Sequence, residues 1–374
     1  MSHMRITYPD YNGGSIYNIS QTVKNSLEIK SAKPGVRFLK TSDKPISLIV
    51  LDGLGYELAI SAGEIQDDTP YLTSVFPSIT CTALTSLLSG QMPGEHGVLG
   101  DTTFLYRMGT IVNNSNYASI YSQNPGELSR YLPMRDAYGA NNIISEATLA
   151  GKRCAIVCPE QWQNKELANL TASESGEHFY YSNLDTAFEQ YRKVTGKDFD
   201  FIYFYLPYID QASHKHGPQS AFTIDIAKKI LKGVKSLSIR CKNKYTSIIT
   251  ADHGHVKIRK TTRLDQGKHK LDNLKVPPFG SARSFFLNIE STGKKELERN
   301  HEGLMAIRAT SKSVTKLLGS DSCLKKTIFN YIIASDSDVS FYYPPAVGSN
   351  DSAMIGDHGG LTEQEMLVPL IIIG

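Results

Sequence analysis

Residues 71–100 read YLTSVFPSITCTALTSLLSGQMPGEHGVLG, a polar turn region followed by a pattern typical of a short helix. We expect this helix over residues 82–89, because Gly90 and Pro93 follow as helix terminators. Thr80 then lies at the helix start, where unpaired backbone N–H groups and the positive end of the helix dipole favour an anion. A hydroxyl there is well placed to attack a phosphorus centre. Taken alone, the stretch is more simply explained by a threonine that caps the helix.

Three apolar runs elsewhere in the chain predict buried strands, and an aspartate follows each of them: Asp52 after residues 46–51, Asp210 after residues 199–209 and Asp252 after residues 245–251. Open α/β sheets bind their ligands at the carboxyl ends of parallel strands. We therefore expect these three carboxylates to meet at one edge of a sheet. For any single one of them, an aspartate that caps a turn or a helix explains the position equally well.

Histidines accompany these aspartates. His253 follows Asp252 directly, and His214 lies four residues after Asp210, which places both on one face of a helical turn. His358 lies in the glycine-rich turn DHGG, shortly before the last apolar strand. Because converging carboxylates repel each other, they need cations to offset their charge. Six nitrogen and oxygen ligands suit two divalent ions, which would also activate a nearby hydroxyl.

The composition of the chain excludes several classes of protein. The 374 residues are 40% hydrophobic, enough for one large domain or a domain with an insertion. The net charge of +3 indicates neither stable nucleic-acid binding nor a membrane surface partner. Five scattered cysteines do not describe a disulfide framework. The chain shows no signal peptide and no apolar run of membrane-spanning length, so we predict a cytoplasmic location; the oligomeric state is not predictable.

We predict three parts: an N-terminal segment (1–35), a core (36–255 and 349–374) and an inserted α+β subdomain (256–348). The insertion opens with six basic residues, which are Lys257, Arg259, Lys260, Arg263, Lys268 and Lys270. Within it we expect strands over 283–289 and 327–333 and a helix over 304–318. Elsewhere we expect strands over 152–158 and 368–373 and helices over 19–29, 184–194 and 224–237.

Five motifs together resemble the alkaline phosphatase superfamily, and within it the type I phosphodiesterase/nucleotide pyrophosphatase branch. They are LIVLDGLG (48–55), FPSITCTALTSLLSGQMPGEHGVLG (76–100), YIDQASHKHGP (208–218), IITADHGH (248–255) and DHGGLTEQEMLVPLIIIG (357–374). They occur in the order of the family and span the chain from about residue 46 to its end.

The resemblance implies an α/β/α sandwich around a mostly parallel central sheet, with two metal ions at the strand ends. One ion would bind Asp52, Asp252, His253 and the nucleophile Thr80, and the other would bind Asp210, His214 and His358. The implied reaction is hydrolysis of a phosphodiester or pyrophosphate bond in a small-molecule or nucleotide substrate. We expect zinc, with manganese or iron as alternatives. We interpret His216 and His255, which flank ligands, as groups that orient the ligands or face solvent, and His96 as structural.

The residues around the candidate nucleophile distinguish between related enzymes. A sulfatase would carry an oxidisable cysteine in a C-x-P-x-R context, whereas Cys81 is followed by Thr-Ala-Leu. Phosphoglycerate mutases and alkaline phosphatases of the superfamily use serine where this chain has Thr80. Phosphonoacetate hydrolase also uses threonine and is the main enzyme alternative, beside a phosphomonoesterase. An inactive metal-containing module that binds a nucleotide is the alternative outside enzymes.

Two residues are candidates for substrate contact. The diesterase branch carries an asparagine after the nucleophile helix, and without gaps that position falls on Asp101. An inward Asp101 would repel phosphoryl oxygens, but it would cap a turn outside the site if the loop differs locally. Arg283 and the basic run could hold an anionic part of the substrate, or form a solvated positive face.

Overall fold

The structure is a computed structural model and describes residues 4–37, 39, 44–163, 175–266, 270–290, 303–344, 346–347 and 354–374. Its strands are β1 Ile46–Leu51, β2 Tyr71–Thr73, β3 Thr102–Leu105, β4 Thr110–Asn113, β5 Ala118–Ser119, β6 Cys154–Pro159, β7 Glu177–Tyr181, β8 Phe201–Leu206, β9 Thr246–Thr250, β10 Val256–Lys257, β11 Lys260–Arg263, β12 Phe279–Gly280, β13 Ser284–Leu287, β14 Leu304–Arg308, β15 Tyr331–Ser335, β16 Val339–Tyr342, β17 Gly356–Asp357, β18 Leu367–Pro369 and β19 Ile371–Ile373. Its α-helices are α1 Tyr17–Ser26, α2 Tyr56–Ser61, α3 Thr80–Ser89, α4 Pro93–His96, α5 Met134–Tyr138, α6 Ile143–Leu149, α7 Leu184–Thr195, α8 Tyr208–His216, α9 Ala221–Cys241, α10 Ser311–Leu318 and α11 Glu363–Met366.

A six-stranded sheet forms the centre of the molecule, in the order β19-β9-β1-β8-β6-β7. Neighbours from β9 to β7 are parallel, and only the edge strand β19 runs antiparallel. Helices α2, α7 and α9 pack together, and so do α1, α3 and α6. Because β6 contacts both groups and every residue of β1, β6, β8 and β9 is buried, the two groups cover opposite faces of the sheet. The predicted α/β/α sandwich is therefore confirmed.

The register of the sheet places the ends of three strands side by side. Val50 of β1 lies between Tyr205 of β8 and Thr250 of β9. Parallel strands in this register bring Asp52 and Asp252 to the same edge, as the sequence predicted.

The predicted helix after residue 80 is α3, which begins at Thr80 itself and is buried from Cys81 to Ser89. It ends at Gly90, whose φ of 67° is a left-handed conformation that glycine adopts without strain. Helix α1 packs on α3, and the Gln21 side-chain amide donates to the Gly90 carbonyl over 2.8 Å. The N-terminal segment thus supports the helix that carries the candidate nucleophile.

The region from residue 256 contains a four-stranded antiparallel sheet, β12-β13-β15-β14. The predicted helix over 304–318 is wrong in its first part, because residues 304–308 form the edge strand β14. Helix α10 begins only after Thr310, whose hydroxyl accepts from the Ser313 backbone N–H while the Ser313 hydroxyl accepts from the Thr310 N–H. Strands β10 and β17 pair with each other, so both ends of the region lie together. The residues around position 348, where we place its end, lie outside the described residues.

The loop-rich stretch after residue 100 contributes the small sheet β3-β4-β5. It contacts the four-stranded sheet closely: a Cβ on Gly100 would lie 2.7 Å from the Gly280 backbone, and Gly100 has a φ of 129°. The Thr102 hydroxyl donates to the Ala346 carbonyl at the same junction. The predicted final strand is divided in two, because β18 pairs with β2 whereas β19 pairs with β9. Every described helix is too short or too polar to span a lipid bilayer.

Candidate metal centre and catalytic threonine

The carboxylates and histidines predicted from the sequence converge at the carboxyl ends of β1, β8 and β9. The Asp52 N–H donates to the Leu206 carbonyl over 2.9 Å, and the Asp210 N–H donates to the Asp52 carbonyl over 2.9 Å. These backbone bonds fix the loops after β1 and β8 against each other. Two adjacent groups of side chains could hold metal ions: one consists of Asp52, Asp252 and His253, and the other of Asp210, His253, His255 and His358. His214 lies beside the second group, within 3.2 Å of Asp210.

The first cluster consists of Asp52, Asp252 and His253. The His253 Nε2 atom lies 3.5 Å from Asp52 Oδ1, 3.4 Å from Asp252 Oδ2 and 3.0 Å from the Thr80 hydroxyl oxygen. Thr80 is the first residue of helix α3, so the start of the helix places the Thr80 hydroxyl at this cluster. The arrangement brings together the four groups that the resemblance assigns to one ion.

Each carboxylate of the first cluster has one anchored oxygen and one free oxygen. Asp52 Oδ2 accepts from the Tyr205 hydroxyl, and Asp252 Oδ1 accepts from the backbone N–H groups of Gly53 (3.2 Å) and His253 (3.0 Å). The other oxygens, Asp52 Oδ1 and Asp252 Oδ2, are buried and have no hydrogen-bond partner. Buried acceptors without a donor are costly, so a cation between them would stabilise the site.

The second cluster is centred on Asp210. Its Oδ1 atom lies 3.2 Å from His214 Nε2 and 3.6 Å from His358 Nε2, and the two histidine nitrogens lie 3.2 Å apart. Asp210 and His214 project from the same face of α8, as their spacing of four residues predicted. His358 reaches the cluster from the glycine-rich turn that follows β17.

The hydrogen bonds of the histidines fit metal ligands. A backbone carbonyl accepts from the Nδ1–H of each ring: that of Gly356 for His214 (2.8 Å), Gly254 for His253 (3.1 Å) and Ser78 for His358 (3.0 Å). In its neutral, metal-binding form each imidazole has only one N–H, so each Nε2 would then direct a lone pair into the site. Lone pairs of nitrogen and carboxylate oxygen at these separations repel each other unless a cation lies between them. The residues therefore fit divalent metal ions.

In the protein alone, the pKa shifts differ between the two clusters. Against the effect of burial, the histidines beside Asp210, chiefly His214, hold the pKa of Asp210 well below its usual range, and Asp210 raises the pKa of His214 to about 9, so these two side chains form a charged pair that a metal ion would replace. Burial, together with Asp252 and Asp210, raises the pKa of Asp52 well above its usual range. Burial and the neighbouring Asp210 raise the pKa of Asp252 to about 7. Burial, together with His255 and His214, lowers the pKa of His358 to about 3. Anionic carboxylates and neutral imidazoles are the ligand forms of these residues, and bound cations would stabilise the carboxylates in that form.

A cavity of about 300 Å³ opens beside His214 and His358. Asp101 lies in its wall, and burial, with Asp357 nearby, raises the pKa of Asp101 to about 7. The wall also includes Asn113, Ser115, Thr261, Ala282, Ser340, Phe341 and Asp357. This location agrees with the inward alternative for Asp101, whose contact with substrate stays a prediction.

The prediction that Arg283 holds substrate is corrected by its surroundings. Its guanidinium is fully buried and donates to both carboxylate oxygens of Glu365, over 2.5 and 2.9 Å. The carbonyls of Val339 and Ser337 accept two further N–H groups at 2.8 Å. Four of the five N–H groups of Arg283 therefore bond within the protein, and its side chain is buried away from the cavity wall, so it does not face a substrate phosphate.

The described residues of the basic run are not part of the cavity wall. Ile258 and Thr261 line the cavity, whereas Lys257, Arg259 and Lys260 are exposed, and Arg259 pairs with Asp338 at 3.1 Å. This agrees with the solvated positive face that we gave as the alternative. Lys268 of the same run lies outside the described residues.

Sequence reasoning missed Tyr205 at this site and left the role of His255 open between orienting the ligands and facing solvent. Tyr205 holds Asp52 from the neighbouring strand; the only signal was a tyrosine in a fully buried strand, which needs a partner for its hydroxyl. The Nε2 atom of His255 lies 3.1 Å from Asp210 Oδ1, and the side chain is buried. This contact agrees with a histidine that orients the ligands and not with one that faces solvent.

Comparisons with known proteins assign the chain to a family. A family model described as type I phosphodiesterase / nucleotide pyrophosphatase matches residues 66–317. The fold is similar to murine ectonucleotide pyrophosphatase / phosphodiesterase 5, with 14% sequence identity, 87% of each chain covered and a TM-score of 0.62. It is also similar to phosphonoacetate hydrolase from Sinorhizobium meliloti, with 16% identity, 88% of this chain and 89% of that chain covered, and a TM-score of 0.61. A search of curated proteins finds no match.

The identities to these structures are low, so the structural likeness shows the fold, while the family model carries the assignment. The family depends on divalent metal ions, in agreement with the two clusters. Because the family model covers well over half of the sequence, the chain belongs to the type I phosphodiesterase / nucleotide pyrophosphatase family of the alkaline phosphatase superfamily and is a hydrolase that acts on phosphoric ester bonds.

Proposed function

We propose that this protein hydrolyses phosphodiester or pyrophosphate bonds, with Thr80 as nucleophile and two divalent metal ions at the strand ends. One observation carries the proposal most strongly: the Thr80 hydroxyl lies at the N-terminus of α3, 3.0 Å from His253 Nε2. The hydroxyl thus belongs to the same cluster as the free oxygens of Asp52 and Asp252.

Seven residues would hold the ions. Asp52, Asp252, His253 and Thr80 supply one set, and Asp210, His214 and His358 supply the other. The ions would make the Thr80 hydroxyl more acidic and offset negative charge on the phosphoryl oxygens. Zinc suits these nitrogen and oxygen ligands, and manganese or iron would also be accepted.

The proposed reaction has two steps at Thr80, which are attack on phosphorus and hydrolysis of the resulting ester. The Thr80 hydroxyl loses its proton to solvent and its oxygen attacks phosphorus, while the bond from phosphorus to the leaving oxygen breaks and that oxygen takes up a proton from solvent. Thr80 then carries the phosphoryl group, with the substituent that the substrate retains, as a covalent ester. Water then hydrolyses this ester and restores the hydroxyl. The unpaired N–H groups at the start of α3 face the same region, where they favour the negative charge of the phosphoryl group.

The cavity beside the site indicates the substrate class. Asp101 and Asp357 line it, and none of its described wall residues is a lysine or an arginine. A monoanionic diester with an uncharged second substituent suits this wall better than a dianionic monoester. Nucleotides are candidates, since an inactive variant of the murine phosphodiesterase 5 has been solved in complex with AMP.

Phosphonoacetate is the second candidate, because a structure of the Sinorhizobium meliloti hydrolase contains it. Its carboxylate would face the acidic wall of the cavity without a described cationic partner, which favours the diester. An inactive nucleotide-binding module is disfavoured because all seven predicted ligand and nucleophile positions are present and gathered.

We also propose that residues 256–348 form a cap over a core of residues 36–255 and 349–374. Ala282, Ser340 and Phe341 of this region line the cavity together with Asp101. The cap would then set the width of the substrate pocket.

The proposal is tested by the metal dependence of hydrolysis. Purified protein should contain close to two equivalents of divalent metal and hydrolyse bis(4-nitrophenyl) phosphate. Dialysis against a chelator should abolish turnover, and adding zinc or manganese should restore it. Fewer than one equivalent after reconstitution, or turnover that survives metal removal, would contradict the proposal.

A further inference from the structure

A fourth histidine shares the arrangement of the three predicted ligands. The Nδ1 atom of His255 lies 3.3 Å from the Gly53 carbonyl oxygen, and its Nε2 atom lies 3.1 Å from Asp210 Oδ1. Its side chain is fully buried and is therefore shielded from solvent. His214, His253 and His358 have the same pattern, with Nδ1 on a carbonyl and Nε2 directed into the site.

The position of the proton on the His255 ring determines whether its Nε2 atom can bind a metal ion. The Gly53 carbonyl can only accept, so the hydrogen bond to it comes from His255 Nδ1–H. In the neutral ring, Nε2 then has a lone pair that faces a carboxylate oxygen. Both His255 Nε2 and Asp210 Oδ1 are buried and have no hydrogen-bond partner. Two unpaired acceptors at 3.1 Å are stable together when they share a cation.

We propose that His255 is a further protein ligand of the ion held by Asp210, His214 and His358; this inference rests on the proposed function. In a tetrahedral zinc site with bonds of about 2.0–2.1 Å, the ligand atoms lie about 3.3 Å from one another. Asp210 Oδ1 lies 3.1, 3.2 and 3.6 Å from the three histidine nitrogens. These three separations are close to that value, and the ligand atoms of Asp210, His255 and His358 all lie within 4.8 Å of one another.

The loop after β1 is built around this ring. Gly53 has a φ of 77°, and a Cβ there would lie 2.6 Å from His255 Cε1. Any side chain at position 53 would therefore displace the imidazole. The same glycine supplies the carbonyl that fixes the ring, so the loop both admits and orients His255.

The assignment makes the two metal sites unequal. The Asp210 site would have four protein ligands apart from substrate, whereas the Asp52 site has Asp52, Asp252, His253 and the reacting Thr80. We therefore expect the Asp210 site to retain its ion longer when the protein is dialysed against a chelator.

A crystal structure of the zinc-loaded protein tests the assignment directly. We expect two zinc ions per chain and a distance of about 2.0–2.1 Å between His255 Nε2 and the ion at Asp210. A distance above about 3 Å, with Nε2–H donating to Asp210, would overturn the inference but leave the proposed function intact. Fewer than one ion per chain would overturn the proposed function and this inference together.

A variant separates a ligand from a hydrogen-bond donor in solution. His255→Gln retains an amide that can donate to Asp210 but lacks the imidazole nitrogen. Zinc competition with a chromophoric chelator should show one of the two ions bound at least about tenfold more weakly in His255→Gln. His216→Gln is the matched control, because His216 flanks His214 and packs on Phe222. Wild-type zinc affinity in a folded His255→Gln protein would show that His255 acts only as a donor.

Discussion

At the scale of single residues, the groups with the strongest chemistry were the most predictable. Asp52, Asp210 and Asp252 follow buried strands, and this position alone indicates a shared sheet edge. Arg283 was not predictable in the same way, because its partner Glu365 lies 82 residues away and its burial depends on the folded cap. A sequence shows that a charge exists, but its partner is defined only by the tertiary fold.

Asp101 gives a test of substrate preference at this scale. If the carboxylate in the cavity wall repels phosphoryl oxygens, Asp101→Asn should increase turnover, and more for a monoester than for a diester. The ratio of kcat/KM for a nitrophenyl diester over a nitrophenyl monoester should therefore decrease. Asp225→Asn, on the exposed face of α9, is the control. A ratio that is unchanged or higher in Asp101→Asn means that Asp101 does not contact the phosphoryl group.

His96 gives a prediction for stability against pH. The imidazole is fully buried: Nδ1 accepts from the Val98 N–H over 3.0 Å, and Nε2 lies 2.9 Å from the Ser86 hydroxyl. Burial, with Lys326 nearby, lowers its pKa to about 3, whereas the unfolded chain binds a proton near pH 6.5. The unfolded state therefore binds more protons below pH 6.5, and His96 makes folding less favourable by about 1.4 kcal/mol per pH unit of acidification.

Replacing His96 removes this dependence. Urea unfolding of wild type and His96→Gln between about pH 6.5 and 5 should show a shallower loss of unfolding free energy in the variant, by roughly the amount above. Parallel pH profiles for the two proteins would refute the assignment of a neutral, structural His96.

At the scale of elements, the hydrophobic pattern identified the strands of the core but not all of the cap. Residues 304–318 have apolar positions compatible with a helix, yet residues 304–308 pair with β15 as an edge strand. The helix begins where Thr310 and Ser313 cap it, so the capping pair was the local signal that divided the segment. Strand pairing depends on a partner distant in sequence, and periodicity cannot show it.

The ion pair of Arg283 and Glu365 connects two elements near the site. Arg283 precedes β13 of the cap, and Glu365 also accepts from the backbone N–H groups of Gly360 (2.8 Å) and Thr362 (3.3 Å) in the loop after His358. Arg283→Met would leave a buried carboxylate without its cation, so we expect a loss of about 3–5 kcal/mol in unfolding free energy. The measurement is chemical denaturation of the metal-loaded protein.

The double variant Arg283→Met, Glu365→Gln supplies the control, because it removes the unpaired charge and should recover part of the loss. If Arg283 instead held substrate, Arg283→Met would raise KM strongly while leaving stability unchanged. That outcome would restore the role that we predicted from the sequence.

At the scale of the whole molecule, the site forms where separate parts of the chain meet. The core sheet supplies the aspartates, α3 supplies Thr80, and the last segment supplies His358, which lies 278 residues after Thr80 in the sequence. The five motifs were sufficient to predict that these residues form one site and that an α/β/α sandwich surrounds it. The shape of the cavity was not predictable, because its wall combines Asp101 with Ser340 and Phe341, which are distant from it in sequence.

The central claim is that Thr80 is the nucleophile of a metal-dependent phosphodiesterase. The most direct measurement is kcat/KM for bis(4-nitrophenyl) phosphate in metal-loaded wild type, Thr80→Ala and Thr80→Ser, with metal content determined on the same samples. We expect Thr80→Ala to lose at least about three orders of magnitude while retaining its metal, and Thr80→Ser to retain partial activity because it keeps a hydroxyl. Wild-type turnover in a metal-loaded Thr80→Ala protein would contradict the mechanism.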